Sequence, residues 1–218
     1  MTVPVAIRLF DEDWREITRV ADAGAMSDHT SIRPEPRTSL MARHDMRIGL
    51  AGEYALCRWL HGDVHAWIQQ REELITYGHH DGGCDCPGYR VDVKCSSRRF
   101  GIRPEHHHLI VEKRVIKRDW VYVLALLDGD EVLLMGYEED VGLRAAFHPD
   151  FVRQRRRDRG VMVWRVDEEV DGEWHRGEQQ VSVWRRASKL KQLPAPEEAR
   201  GEVSEAETTD DQADRDQA

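Results

Sequence analysis

Long apolar runs are missing from this 218-residue chain. Nowhere does it approach the roughly 20 consecutive apolar residues that a bilayer-spanning helix needs, and its first residues lack the basic-then-apolar layout of a secretory signal. The expectation is a soluble, cytoplasmic protein without a membrane partner. Cysteine is scarce, with Cys57, Cys84, Cys86 and Cys95 alone. Without an export signal, four such residues read as reduced thiols rather than as a disulfide framework. Lysine is scarcer than its charge class would predict, at five residues against 27 arginines, which points to a GC-rich genome of bacterial or phage origin. Each retained lysine is correspondingly informative, and Lys94 is one of them. With 40% apolar residues the chain can bury one sizeable core but not two full-sized ones, so one domain with appendages is expected.

A formal charge of -9 opposes nucleic-acid binding until its distribution is considered. From Pro194 onward nine acids face two arginines, so the tail contributes -7 and about -2 remains for everything before it. Ala, Glu, Asp, Thr and Gln dominate this tail, and it has too few large apolar residues to offset its ordering entropy. It reads as disordered, serving as a solubilising tail, a competitor for a basic cleft or a handle for a partner.

Before the tail, Val3 to Val20 mixes apolar and acidic positions, with a turn or helix start at Asp11 to Trp14. Ala21 to Arg37 reads as a linker rich in Ser, Asp and Pro, where Pro34 and Pro36 discourage helix. From Met41 to about His61, Ile48, Ala51, Ala55 and Trp59 recur at helical spacing, and Gly62 is a stop. Gly49 and Gly52 each cost about 1 kcal/mol of helix propensity relative to Ala unless close packing requires them. Glu53 lies beside them.

The most informative stretch is Asp81-Gly-Gly-Cys-Asp-Cys-Pro-Gly-Tyr-Arg-Val-Asp-Val-Lys-Cys-Ser-Ser97. Pro87 and Gly88 sit as the centre of a turn between two extended segments, which predicts a tight β-hairpin. Cys86 then faces Tyr89, Asp85 faces Arg90, Cys84 faces Val91 and Gly83 faces Asp92. Since side chains alternate across a strand, Arg90, Asp92, Lys94 and Ser96 share one face with Asp85, while Tyr89, Val91, Val93 and Cys95 collect on the other with Cys84 and Cys86. Two carboxylates a few ångströms apart raise each other's pKa unless they share a cation, for which a hard divalent ion such as Mg²⁺ is suited. A one-residue slip of register would move Asp85 to the wrong face.

In this order of elements the chain resembles the PD-(D/E)XK nuclease superfamily. A helix with a glutamate, Gly49-Leu-Ala-Gly-Glu-Tyr-Ala55, precedes Asp85 and then Asp92-Val-Lys94. Asp119 to Tyr137 follows, similar to the later core strands of that family joined by a Gly-containing turn. The resemblance covers about Met41 to Leu143. It departs in lacking a Pro before Asp85, in having Asp92 where the family has Glu, and in the short gap between Asp85 and Asp92. The resemblance implies a restriction endonuclease-like α/β fold with a mixed central β-sheet flanked by helices. It also implies that Asp85 and Asp92 bind Mg²⁺ or Mn²⁺ with the Val93 carbonyl, that Glu53 completes the metal site, and that Lys94 orients or helps deprotonate the nucleophile. The expected activity is metal-dependent hydrolysis of phosphodiester bonds in DNA, with catalytic residues Glu53, Asp85, Asp92 and Lys94.

Further basic residues are candidates for gripping phosphates: Arg98, Arg99 and Arg103 close after Lys94, and Arg153, Arg155, Arg156 and Arg157, which with Arg159 place five cations in seven residues. Val161 to Val166 and Gln180 to Trp184 alternate as strands around a turn at Asp171-Gly172, forming a C-terminal β-hairpin extension or accessory module. Its Trp164, Trp174 and Trp184 suit packing or stacking on unpaired bases. His79, His80, Cys84 and Cys86 have zinc-ligand chemistry but no standard spacing, and a core role for the thiols is the simpler reading. His106 to His108 read as a solvated strand entry. The expected organisation is an N-terminal extension and linker over 1–40, a nuclease-like domain with its accessory hairpin over 41–190, and an acidic tail over 191–218. Two rivals stay open: a catalytically silent nucleic-acid-binding or decoy protein, and a zinc-binding interaction protein. A homodimer or a protein partner is also left open.

Overall fold

The computed structural model describes residues 3–25, 39–77, 84–98, 102–145, 159–165, 168–170, 173–175 and 179–196. At its centre is a four-stranded mixed sheet. The strands are β1 (Val5–Arg8), β2 (Val91–Ser97), β4 (Val121–Asp128) and β5 (Glu131–Glu139), in the order β1-β5-β4-β2. β4 pairs antiparallel with β5 and parallel with β2, leaving β2 at an edge. The apolar run of β4 is continuous because both of its faces are buried. Val123 and Ala125 join one core with Val93, Val132 and Leu134, whereas Tyr122, Leu124 and Leu126 join a second with Leu133 and Met135.

Three helices cover the first face: α1 (Asp11–Ala25), α2 (Ser39–His61) and α3 (His65–Tyr77). Asp11, Glu12 and Asp13 place negative charge at the first turn of α1, where the unpaired amides favour it. Asp13 also accepts the Phe10 amide at 2.8 Å, the Tyr54 hydroxyl at 2.6 Å and Arg58 at 2.9 Å, which fastens α1 to α2. The 1–40 segment, expected as an extension and linker, therefore contributes β1 to the central sheet and α1 to the helical layer. Helix α1 continues through Ala21–Ala25, inside the expected linker, because Val20 and Ala21 are buried core residues. The helix expected from Met41 to His61 is present, and Gly62, at φ +81°, ends it in the left-handed conformation that glycine adopts without steric cost.

The second face is covered by a separate three-stranded antiparallel sheet, β3 (His108–Glu112), β9 (Gln179–Arg186) and β6 (Arg159–Arg165), ordered β3-β9-β6. Strands β7 (Glu168–Val170) and β8 (Glu173–His175) form a small hairpin, while the expected turn at Asp171-Gly172 lies outside the described residues. The expected C-terminal hairpin is thus no extension of the central sheet. Leu109, Val111 and Val183 of the second sheet instead meet Leu124, Leu126 and Met135 of the first, together with Leu143 of α4 (Asp140–Arg144). Among the described residues, Arg185 of β9 lies 3.0 Å from Glu138 of β5, and Lys191, in the segment after β9, pairs with Tyr137 of β5 through backbone bonds of 2.9 and 3.0 Å. The architecture is mixed α/β, with a mixed central sheet carrying helices on one face. Among the described residues no helix is long and apolar enough to cross a membrane. The acidic tail beyond residue 196 lies outside the described residues.

Candidate active site

Three stretches of chain meet at the free edge of β2. A Cβ at Gly52 would stand 2.6 Å from the Cys95 Cβ and 3.1 Å from the Val93 Cγ1, so α2 lies on the strand only because no side chain intervenes. That close approach delivers Glu53, the next residue, to the strand edge. Helix α3 closes the arrangement. Trp67, fully buried, packs edge-on against Tyr54 with ring centroids 5.2 Å apart, and its Nε1 lies 3.4 Å from the Glu53 Oε2. One turn later, the Arg71 Nη2 is 2.5 Å from the same Glu53 oxygen and 3.6 Å from the Asp85 Oδ1. Gln70, on the same helix, donates to the Cys84 carbonyl at 3.1 Å and so fixes the chain leading into Asp85.

Asp85 runs alongside the outer edge of β2. Its amide donates to the Val91 carbonyl at 3.0 Å, and its Oδ2 accepts the Val93 amide at 2.6 Å. An edge strand has amides without a sheet neighbour, and this carboxylate satisfies one of them. Within β2, Val91 and Val93 point into the helical core, so Asp92 and Lys94 project from the opposite face. The Lys94 Nζ is 2.6 Å from the Asp92 Oδ1, and the lysine side chain is about one-third exposed. Glu53 thus approaches the edge from the helical face and Asp92 from the other, with Asp85 between them.

The electrostatics tie the three carboxylates together. Burial lifts Asp85 well above the usual carboxylate range, and the charges of Glu53 and Asp92 lift it further; the Val93 amide and Arg71 oppose the rise. The Cys95 thiol is pushed up to about 12 by burial, with Glu53 adding to the effect. Burial likewise raises the Cys57 thiol, whose Sγ lies 3.6 Å from the Asp85 carbonyl.

The expected hairpin register requires correction. The turn itself forms: Gly88 has φ +79°, the value a type II turn demands after Pro87, and Cys86 pairs with Tyr89. Beyond that pair the ladder stops matching. The Val91 amide bonds back to the Tyr89 carbonyl at 2.9 Å, and the Cys84 thiol donates to the carbonyls of Cys86 and Tyr89. These local bonds displace the pairing by one residue, so Asp85 meets Val91 rather than Arg90, and Cys84 does not pair with Val91. Asp85 still joins the site because its side chain, rather than its place in a ladder, reaches Val93. Gly83 lies outside the described residues.

The helix α3 and its Trp67, Gln70 and Arg71 were not anticipated from the sequence. The available signal was the four-residue spacing of Trp67 and Arg71, which stacks both side chains on one helical face. Of the phosphate-gripping candidates, Arg98 is ion-paired to Asp128 and Arg103 is exposed beside the 3-10 turn Pro104–His106. Arg99, Arg153, Arg155, Arg156 and Arg157 lie outside the described residues, as do His79 and His80. None of the four cysteines is in a disulfide; of the two expected as core thiols, Cys86 is fully buried and Cys84 is only half-buried, while Cys57 is fully buried as well. Among the described residues no group of three or more His, Cys, Asp and Glu side chains stands arranged to hold a metal ion. At least one oxygen of each carboxylate is engaged internally: Glu53 with Arg71, Asp92 with Lys94 and Asp85 with Val93. The donor chemistry nevertheless suits a hard divalent cation, being carboxylate oxygen throughout and carrying mutual repulsion that Arg71 offsets only in part.

The chain matches no protein-family model, and neither curated proteins nor solved structures include one detectably similar to it.

Proposed function

We propose that this protein is a metal-dependent nuclease of the PD-(D/E)XK type acting on DNA. The observation that carries the reading is the convergence at one strand edge of Glu53, Asp85, Asp92 and Lys94: the charges of Glu53 and Asp92 act on the buried Asp85, and an ammonium group stands two residues beyond Asp92 on the same strand face. Asp85, Asp92 and the Val93 carbonyl would hold Mg²⁺ or Mn²⁺, with Glu53 completing the set. The ion, when bound, supplies a lowered pKa for its water and offsets negative charge developing on the phosphate.

The protein's own groups perform the remaining tasks. Asp92 holds the Lys94 Nζ at 2.6 Å, which limits the rotation of the side chain. Lys94 then presents hydrogen-bond donors to the attacking water or to a phosphate oxygen, stabilising charge as the new P–O bond forms and the ester oxygen leaves. Val93 fixes Asp85 through a backbone amide, and Trp67 fixes Glu53, so both carboxylates are oriented before substrate arrives.

A second reading is a silent nucleic-acid-binding protein on the same scaffold. It is favoured by the internal engagement of Glu53 by Arg71 and of Asp92 by Lys94. Cleavage assays separate the two, using linear and circular, single- and double-stranded DNA with Mg²⁺ or Mn²⁺. Cutting that needs the metal and disappears in both Lys94→Ala and Asp92→Ala supports the nuclease. Folded wild type that cuts none of these substrates moves the assignment to the silent reading.

A further inference from the structure

A single nitrogen, the Arg71 Nη2, faces two carboxylates from different elements, at 2.5 Å from Glu53 on α2 and 3.6 Å from Asp85 beside β2. The guanidinium is mostly buried, as are both acids, so water screens these charges weakly. Its position is not incidental: the Arg71 stem rises from the turn of α3 after Trp67, whose ring lies 5.9 Å from the guanidinium carbon and whose Nε1 contacts the same Glu53 oxygen. Glu53 and Asp85 are also the two acids that, on the nuclease reading, belong to the metal set. Resting on that reading, we infer that Arg71 is a resident counter-cation which occupies the space between Glu53 and Asp85 and must be displaced before a divalent ion can bridge them.

The argument is one of exclusive occupancy. A guanidinium nitrogen 2.5 Å from the Glu53 Oε2 uses the lone pairs an ion would need, and two positive centres cannot share that gap at close range without strong repulsion. In the absence of the ion, Arg71 limits the repulsion between acids that would otherwise face each other uncompensated. In its presence the same charge opposes binding. Arg71 therefore sets metal affinity from the protein side, and its planar fork, once released, is the donor geometry that phosphate oxygens accept. It is a positioning residue for the acids.

The test is Mn²⁺ binding to the full chain, followed by the loss of the free-ion electron paramagnetic resonance signal in the absence of nucleic acid, for wild type, Arg71→Met, Arg71→Gln and Asp92→Ala. The expected result is tighter binding by about tenfold or more in Arg71→Met, with Arg71→Gln moving in the same direction, and loss of binding in Asp92→Ala. The glutamine variant keeps a polar group toward the acids and serves if the methionine variant does not fold. Asp92-dependent binding that is unchanged or weaker without Arg71 overturns the counter-cation role and leaves the metal site standing. No Asp92-dependent binding in wild type or in either Arg71 variant overturns the metal reading itself, and the role of Arg71 with it.

Discussion

Gly52 and Cys95 meet so closely that a methyl group on the first would stand 2.6 Å from the Cβ of the second, whereas a methyl group on Gly49, three residues earlier in the same helix, would touch nothing within 4 Å. Two glycines of equal helix propensity thus have opposite meanings. Gly52→Ala is expected to destabilise by about 1–3 kcal/mol through overpacking between α2 and β2, and to displace Glu53 from the strand edge. Gly49→Ala is expected to be stabilising by about 0.5–1 kcal/mol. Urea unfolding of both variants checks the contrast; equal effects of the same sign would remove the packing explanation.

Asp85 makes stability depend on pH in an unusual direction for a carboxylate. Its folded-state pKa is raised, chiefly by burial and then by Glu53 and Asp92, so between the ordinary carboxylate value and its own the native state binds the extra proton. Stability therefore falls as pH rises through that window. Asp85→Asn keeps an oxygen for the Val93 amide and removes the charge. It is expected to show a higher Tm than wild type at pH 8, with the difference shrinking as the pH is lowered toward the ordinary carboxylate range. Cleavage should be lost in the same variant. A lower Tm at pH 8 would show that the Asp85 charge is stabilising.

Glu138 and Arg185 form a mostly buried ion pair at 3.0 Å between the two sheets. Breaking it from one side leaves a charge without compensation, so Arg185→Met should cost about 3–5 kcal/mol. Combining Arg185→Met with Glu138→Gln should recover a large part of that loss. A double-mutant cycle by chemical denaturation measures the coupling, and strictly additive losses would mean that the pair contributes nothing as a pair.

The thiols offer a direct check on the core. Cys57 and Cys86 are fully buried, and the Cys95 thiol is pushed up to about 12. Native protein at pH 8 should therefore expose no more than one fast-reacting thiol, Cys84, to an aromatic disulfide reagent, and all four in denaturant. Two or more fast thiols in the native state would contradict this packing.

What the sequence by itself determined is local. Helical spacing and Gly62 marked α2 and its end, because a 3.6-residue period and a left-handed glycine act within a few residues. Pro87-Gly88 specified the turn for the same reason, and the Asp92-Val-Lys94 alternation placed an acid and an ammonium on one strand face. The tertiary structure decided the rest. Whether Gly52 is costly or required depends on how closely α2 approaches Cys95, and the register near Asp85 depends on where the Cys84 thiol finds carbonyls. The second sheet forms because Leu109, Val111 and Val183 cover the outward face of β4, an apolar surface whose partner no local pattern names. Arg71 acquires its place between Glu53 and Asp85 only when α3 docks. Spacing along a chain is read from the chain, but which charge compensates which is set by distance in space, and that distance exists only after folding.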